Sequence, residues 1–151
     1  MKKSLIVAIV LAVGTMAAFA GTINIPHFND GGGQTNASFF PGPGESATWI
    51  SITNTTNTDK TITVNFYTLE GVANGSSTGA LLAHRSAGFR PVAQDTFESA
   101  LGTALAPPTN PLDAGWCQIL FPGGASDIAG KANTNVGSTS SQFAWTLIPY
   151  D

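Results

Sequence analysis

Apolar and polar residues alternate most regularly over residues 61–67, where Ile62, Val64 and Phe66 share one face and Thr61, Thr63, Asn65 and Tyr67 the other. A period of two is the mark of a half-buried strand. Residues 47–53 repeat the pattern, with Ile50 and Ile52 on one face and Trp49 on the opposite one. Between them, residues 54–60 are dense in Asn, Thr and Asp, whose side chains bond nearby backbone and so favour turns. Residues 47–71 therefore predict a β-hairpin, on which the rest of the chain is expected to pack.

Shorter runs of the same kind follow along the chain. Residues 22–28 alternate with Ile23 and Ile25 on one face, and Pro26 lacks a ladder donor, which confines this strand to an edge or ends its pairing there. Residues 29–46 are rich in Gly and Pro without a usable period, so the first strand is expected to be loosely tethered. Asn74-Gly75 predicts a turn, and residues 81–90 predict a weak strand pair. Residues 95–105 carry the helical pattern: Asp95 as cap, Glu98 in capping-box position, then Phe97, Leu101 and Leu105 on one stripe, stopped by Pro107-Pro108. Residues 115–121 form a strand closed by Pro122-Gly123-Gly124. Residues 128–132 predict a short strand and residues 133–141 a polar loop. Residues 142–150 give a last strand with Phe143, Trp145 and Leu147 on one face. About six to eight short strands with such punctuation predict an all-β fold, a single antiparallel β-sandwich of Ig-like or jelly-roll-like type with at most one short helix.

The first twenty residues stand apart from that domain. Lys2 and Lys3 precede an apolar run over residues 5–13, and Ala18-Phe19-Ala20 closes it with a small-x-small site. This is the three-part pattern of a secretory signal peptide of bacterial type, cleaved before Gly21. The run is too short to span a bilayer comfortably, and Gly21 offers no thiol for a lipid, so no membrane anchor is expected after cleavage. The expected organisation is residues 1–20 as signal peptide, 21–46 as N-terminal strand and Gly/Pro-rich loop, and 47–151 as sandwich body. The expected location is secreted, extracellular or periplasmic.

Charge narrows the partners. Only 10% of residues are charged, against about a quarter in an ordinary soluble domain. Beyond residue 20, Lys60, Arg85, Arg90 and Lys131 stand against nine carboxylates, a net charge of −5. So few scattered cations make no phosphate-neutralising stripe, which argues against nucleic acid and against an anionic membrane surface as partners. Solubility must rest on Thr, Ser, Asn and Gly. Such a surface suits packing against copies of the same chain, or life in a wall or matrix, and is equally that of an ordinary secreted β domain.

Candidate chemistry is sparse. Cys117 is the single cysteine, so no internal disulfide can form, and its place beside Ile119 and Phe121 on one strand face reads as a small buried residue. His27 and His84 lie in separate segments without a carboxylate-rich neighbourhood, and Asp30 and Asp127 lack the alternating spacing of a calcium loop. No Gly-x-Ser-x-Gly elbow is present, and a dyad of Cys117 with either histidine would depend wholly on the fold. The chain is expected to be non-catalytic, with no catalytic residue, no cofactor and no metal. Trp49, Tyr67, Phe89, Trp116 and Trp145 could instead form a sugar-stacking platform, and Tyr67, on the polar face of its strand, is the best candidate for an exposed aromatic contact.

Two resemblances add to this reading. Residues 49–55 (WISITNT), residues 61–67 (TITVNFY) with Gly71, and residues 143–149 (FAWTLIP) resemble exported bacterial β-sandwich proteins, which implies a fold and brings no catalytic residues. Residues 22–25, Gly137 and Tyr150 are similar in placement to the features of donor-strand pilin-like filament subunits, although the pilin cysteine pair is absent and Pro149 interrupts the last strand. Together these point to a secreted structural or assembly subunit of a cell surface, filament or matrix. Thr22, Ile23, Ile25 and Phe28 would form an assembly strand added to a neighbour. The alternative is a secreted glycan-binding or adhesion module working through Tyr67. The expected partners are then copies of itself, a surface or matrix component, or a glycan.

Overall fold

Because the apolar residues recur at every second position, each strand can bury one face only, and two sheets must meet to cover both. The computed structural model describes residues 19–29, 46–91, 114–137 and 141–151. Its strands are β1 (Phe19–Asn29), β2 (Ser46–Asn54), β3 (Lys60–Tyr67), β4 (Ala73–Leu81), β5 (Ser86–Phe89), β6 (Ala114–Pro122), β7 (Ile128–Val136) and β8 (Ser141–Leu147), with a 3₁₀ turn at Ala125–Asp127. They form two four-stranded sheets, sheet A in the order β1-β6-β3-β4 and sheet B in the order β5-β2-β7-β8. All pairings are antiparallel. The protein is an all-β sandwich. The helical pattern of residues 95–105 lies outside the described residues.

The inner faces are those the alternation assigns. Ile23, Ile25 and Phe28 from β1, Ile62, Val64 and Phe66 from β3, and Cys117, Ile119 and Phe121 from β6 meet Ile50 and Ile52 from β2 in one buried cluster. Each such side chain contributes about 1.5–3 kcal/mol by leaving water.

The hairpin expected over residues 47–71 is not formed. β2 lies in sheet B and β3 in sheet A, so residues 55–59 carry the chain across the sandwich as an arch. Asn54 makes the crossing possible. It is fully buried, and its Nδ2 donates to the carbonyls of Thr58 at 2.7 Å, Leu81 at 3.2 Å and Leu82 at 3.3 Å. Its Oδ1 accepts from the Thr56 amide at 3.0 Å and the Thr56 hydroxyl at 2.7 Å. One carboxamide thus satisfies the backbone of the arch and of the chain leaving β4. Lys60, at the start of β3, completes the joint: its Nζ donates to the Pro122 carbonyl at 3.0 Å and to Asp127 Oδ2 at 2.8 Å.

Asn74-Gly75 does not turn the chain either. The β3–β4 turn spans Thr68 to Val72, closed by the Thr68 amide on the Val72 carbonyl at 2.9 Å. Asn74 and Gly75 lie inside β4 at a register shift opposite Phe66, where Gly75 takes a φ of +99°. The turn residues therefore serve a β-bulge, which needs the same left-handed freedom. The pair expected over residues 81–90 is likewise divided between sheets, β4 ending at Leu81 and β5 spanning Ser86–Phe89. The polar stretch at residues 133–136 is strand, the second half of β7, because it pairs on both sides with β2 and β8.

The N-terminal strand pairs within its own chain, and residues 30–45 of the Gly/Pro-rich stretch expected to tether it loosely lie outside the described residues. β1 pairs along β6 from Gly21↔Phe121 to Asn29↔Ala114 within the same chain. Ile23, Ile25 and Phe28 are each 0% exposed. The sandwich thus draws on β1 as well as on residues 47–151, and strand donation to a neighbour would first have to empty this part of the core.

Candidate functional site

Strand alternation that sends Ile62, Val64 and Phe66 inward sends Thr63, Asn65 and Tyr67 out, and likewise puts Trp116, Gln118 and Leu120 on the outer face of β6. Cross-strand register then sets them in rows. Asn24, Gln118, Asn65 and Ser76 lie side by side on the four strands of sheet A. At about 4.8 Å between strands this row is about 14 Å long. The neighbouring row holds Thr22, Leu120, Thr63 and Thr78, with Thr63 and Thr78 hydroxyls 3.1 Å apart. None of these side chains is charged.

On the other side of the amide row, Tyr67 and Trp116 are direct cross-strand partners. Their rings stack with centroids 3.9 Å apart and planes 8° from parallel. Gly115, next to Trp116, is held against the Tyr67 carbonyl so closely that no side chain fits there. The adjoining β3–β4 turn exposes Leu69 and Val72, at 58% and 62%. An aromatic pair and two aliphatic side chains thus border the uncharged face.

The amides of the row are not alike. Asn24 Nδ2 donates to the Tyr150 hydroxyl at 2.7 Å, and Asn24 Oδ1 accepts from Gln118 Nε2 at 3.2 Å. Gln118 Oε1 and the whole Asn65 carboxamide have no protein partner among the described residues. Each presents hydrogen-bonding capacity to a ligand beside the Trp116–Tyr67 stack.

The other aromatic candidates go elsewhere. Phe89 is a core residue at 2% exposure. Trp145 turns inward and packs on the core. Trp49 lies on the outer face of sheet B beneath the Arg90 guanidinium, 5.8 Å from the ring centroid. The structure therefore unites two of the five aromatic candidates, Tyr67 and Trp116. Of the residues assigned to an assembly strand, Ile23, Ile25 and Phe28 are core, and Thr22 faces outward.

Cys117 sits wholly inside the sandwich, and burial pushes its thiol far above the ordinary value. His27 and His84 are both exposed at the surface, so neither forms a dyad with it. Among the described residues, no group of three or more His, Cys, Asp and Glu is placed to hold a metal. No helix among them is long and apolar enough to cross a membrane.

No family model matches this chain, and no curated protein does. A solved structure titled "Crystal Structure of Thermotoga maritima 1070" is similar to it over 88% of this chain and 95% of that one, at 14% identity and a TM-score of 0.49.

Proposed function

We propose that this is an exported, non-catalytic binding module that holds a neutral glycan against the outer face of sheet A. The observation that carries the reading is the Tyr67–Trp116 stack standing beside the Asn65 carboxamide and Gln118 Oε1 on an uncharged face. A sugar offers both hydroxyls and an apolar C–H face. The first suit carboxamides and threonine hydroxyls, which donate and accept without charge, and the second suits aromatic rings. The row of four strands has the length of a short oligosaccharide. An acidic polymer gains nothing from a face without cations.

Retention on insoluble polysaccharides and the change of tryptophan fluorescence with soluble glycans test this. Binding that is lost in Trp116→Ala and kept in Lys131→Ala, on the opposite sheet, supports the reading. A wild-type protein without response across a broad panel of neutral glycans removes it.

A second reading, a self-associating structural subunit of a surface or filament, is favoured by one observation. β1 is an edge strand, held on one side by an antiparallel ladder to β6 with register shifts between Phe19 and Gly21 and between Ile25 and Phe28, and on the other by a single bridge to Tyr150. A protein that stays monomeric at high concentration under all conditions would rule it out.

A further inference from the structure

We infer that the glycan held by sheet A is a single chain of neutral, equatorially substituted pyranoses such as β-linked glucose, and that one of its rings stands on edge in a notch above β4; this rests on the glycan-binding reading above. The aromatic stack fixes the posture. Tyr67 and Trp116 are opposite one another on adjacent strands, so the line joining them runs across the sheet. Contacting carbon planes stay about 3.5 Å apart, and these centroids are 3.9 Å apart with the planes 8° from parallel. The ring normals therefore lie close to that line. The two rings stand upright on the sheet, side by side, and offer no flat platform.

Each ring keeps one face for a ligand, and the two faces have different neighbours. That of Trp116 looks towards β1. There Ile25 pairs with Cys117 and Phe28 with Gly115, so Pro26 and His27 together oppose Trp116. Both are exposed between two buried neighbours, and this bulge raises two side chains beside the indole. The face of Tyr67 looks towards β4, where its partner is Ala73. Here the register shift buries Asn74 and leaves Ala73, Gly75 and Ser76 exposed. Gly75, at a φ of +99°, adds no side chain. The Asn74-Gly75 bulge thus floors a notch with a methyl group, bare backbone and a hydroxyl. The Tyr67 ring walls it, and the exposed Leu69 and Val72 of the turn end it.

A glucose-type pyranose satisfies this notch in one posture. Its hydroxyls project from the rim of the ring, and its axial C–H groups cover both faces. Upright against Tyr67, one face meets the aromatic ring while the rim points down to Ser76 and to the Asn65 carboxamide, which are paired in register. Lying flat on the sheet, the same ring meets one of these features and not both. Trp116 backs Tyr67 and holds it upright. The rings of a crystalline polysaccharide are packed against their neighbours, so none is free to enter.

Ala73→Phe and Ser76→Phe each fill the notch from a different point of its floor. Ala80→Phe puts the same ring on the exposed face of β4 away from it. Cellohexaose is titrated calorimetrically, and retention is compared on amorphous and crystalline cellulose, each variant being first checked for native near-ultraviolet circular dichroism. We expect wild type and Ala80→Phe to bind cellohexaose and amorphous cellulose and to pass over crystalline cellulose. Either notch variant should bind roughly tenfold or more weakly, having lost a stacked and hydrogen-bonded contact. Natively folded notch variants that bind as tightly as wild type overturn the notch, and leave the glycan reading standing if Trp116→Ala still loses binding. Equal retention on crystalline cellulose overturns the upright posture. A wild type that binds other neutral glycans but not cellohexaose overturns the ligand class alone. One that binds no neutral glycan removes the glycan reading, and this inference with it.

Discussion

Tyr67 and Trp116 are paired residues on adjacent strands, and their rings lie parallel with centroids 3.9 Å apart. The close approach of β3 and β6 at this point depends on Gly115, where a β-carbon would collide with the Tyr67 backbone carbonyl and crowd the Phe28 ring. Backbone cannot yield as a side-chain tip can. Gly115→Ala should therefore lower stability by about 1–3 kcal/mol, seen as a lower melting temperature, and should weaken glycan binding further by parting the two rings. Gly88→Ala, where the nearest atoms leave 3.7 Å, should be close to neutral.

Asn54 is the residue on which the crossing between sheets turns. Removing its carboxamide leaves the Leu81 and Thr58 carbonyls buried or half-buried without their donor. Asn54→Ala should cost about 2–3 kcal/mol, the penalty of unsatisfied buried polar groups, as a lower denaturation midpoint with little change in m-value. Asn54→Asp should cost no less, because a carboxylate supplies no donor to those carbonyls.

The Cys117 thiol gives stability a pH dependence of predictable sign. Its ordinary value is 9.0 and burial raises it in the folded state. Above about pH 9 the unfolded chain loses a proton that the folded chain keeps, so folding weakens as pH rises, by up to about 1.4 kcal/mol per pH unit from this group. Below pH 8 the effect should vanish. Cys117→Ala should remove this part of the alkaline slope, measured as the difference between the two proteins' denaturation curves. For the same reason, alkylation of the native thiol should proceed only as fast as the sandwich opens.

β1 supplies Ile23, Ile25 and Phe28 to the core. A chain starting at residue 30 should fail to give the near-ultraviolet circular dichroism of the native protein, since losing three fully buried side chains costs free energy comparable to the whole margin of an ordinary domain. A synthetic peptide of residues 21–29 should restore it in trans. Recovery with an Ile23→Asp, Ile25→Asp peptide would contradict the placement of β1.

Which side faces inward was legible in the sequence for β1, β2, β3, β6 and β8, because a buried face needs apolar residues at every second position: Ile62, Val64 and Phe66 show it without help, whereas β4, with Ser, Thr, Gly and Asn at most positions, did not read as a strand. The pairing of strands was not. A polar connection such as residues 55–59 serves a hairpin or an arch equally well, and only the buried bonds of Asn54 decide between them. Asn74-Gly75 misled for a related reason: positive φ is demanded by bulges as well as turns. The candidate site was half visible. Tyr67 stood out by its place on a polar face, whereas Trp116 looked like one tryptophan among three. Their stack is a property of register, which local alternation does not encode. The tie between Tyr150 and β1 left no trace in local pattern, since it joins residues near opposite ends of the chain.

The most direct measurement is a chemical-shift map of backbone amides and Asn and Gln side chains during titration with a neutral oligosaccharide that the protein retains. Shifts concentrated at Asn65, Tyr67, Trp116 and Gln118, saturating together and absent in Trp116→Ala, are the predicted result. Saturable shifts confined to sheet B, around Ser51, Thr53 and Lys131, with sheet A unmoved, would contradict the assignment of the binding face.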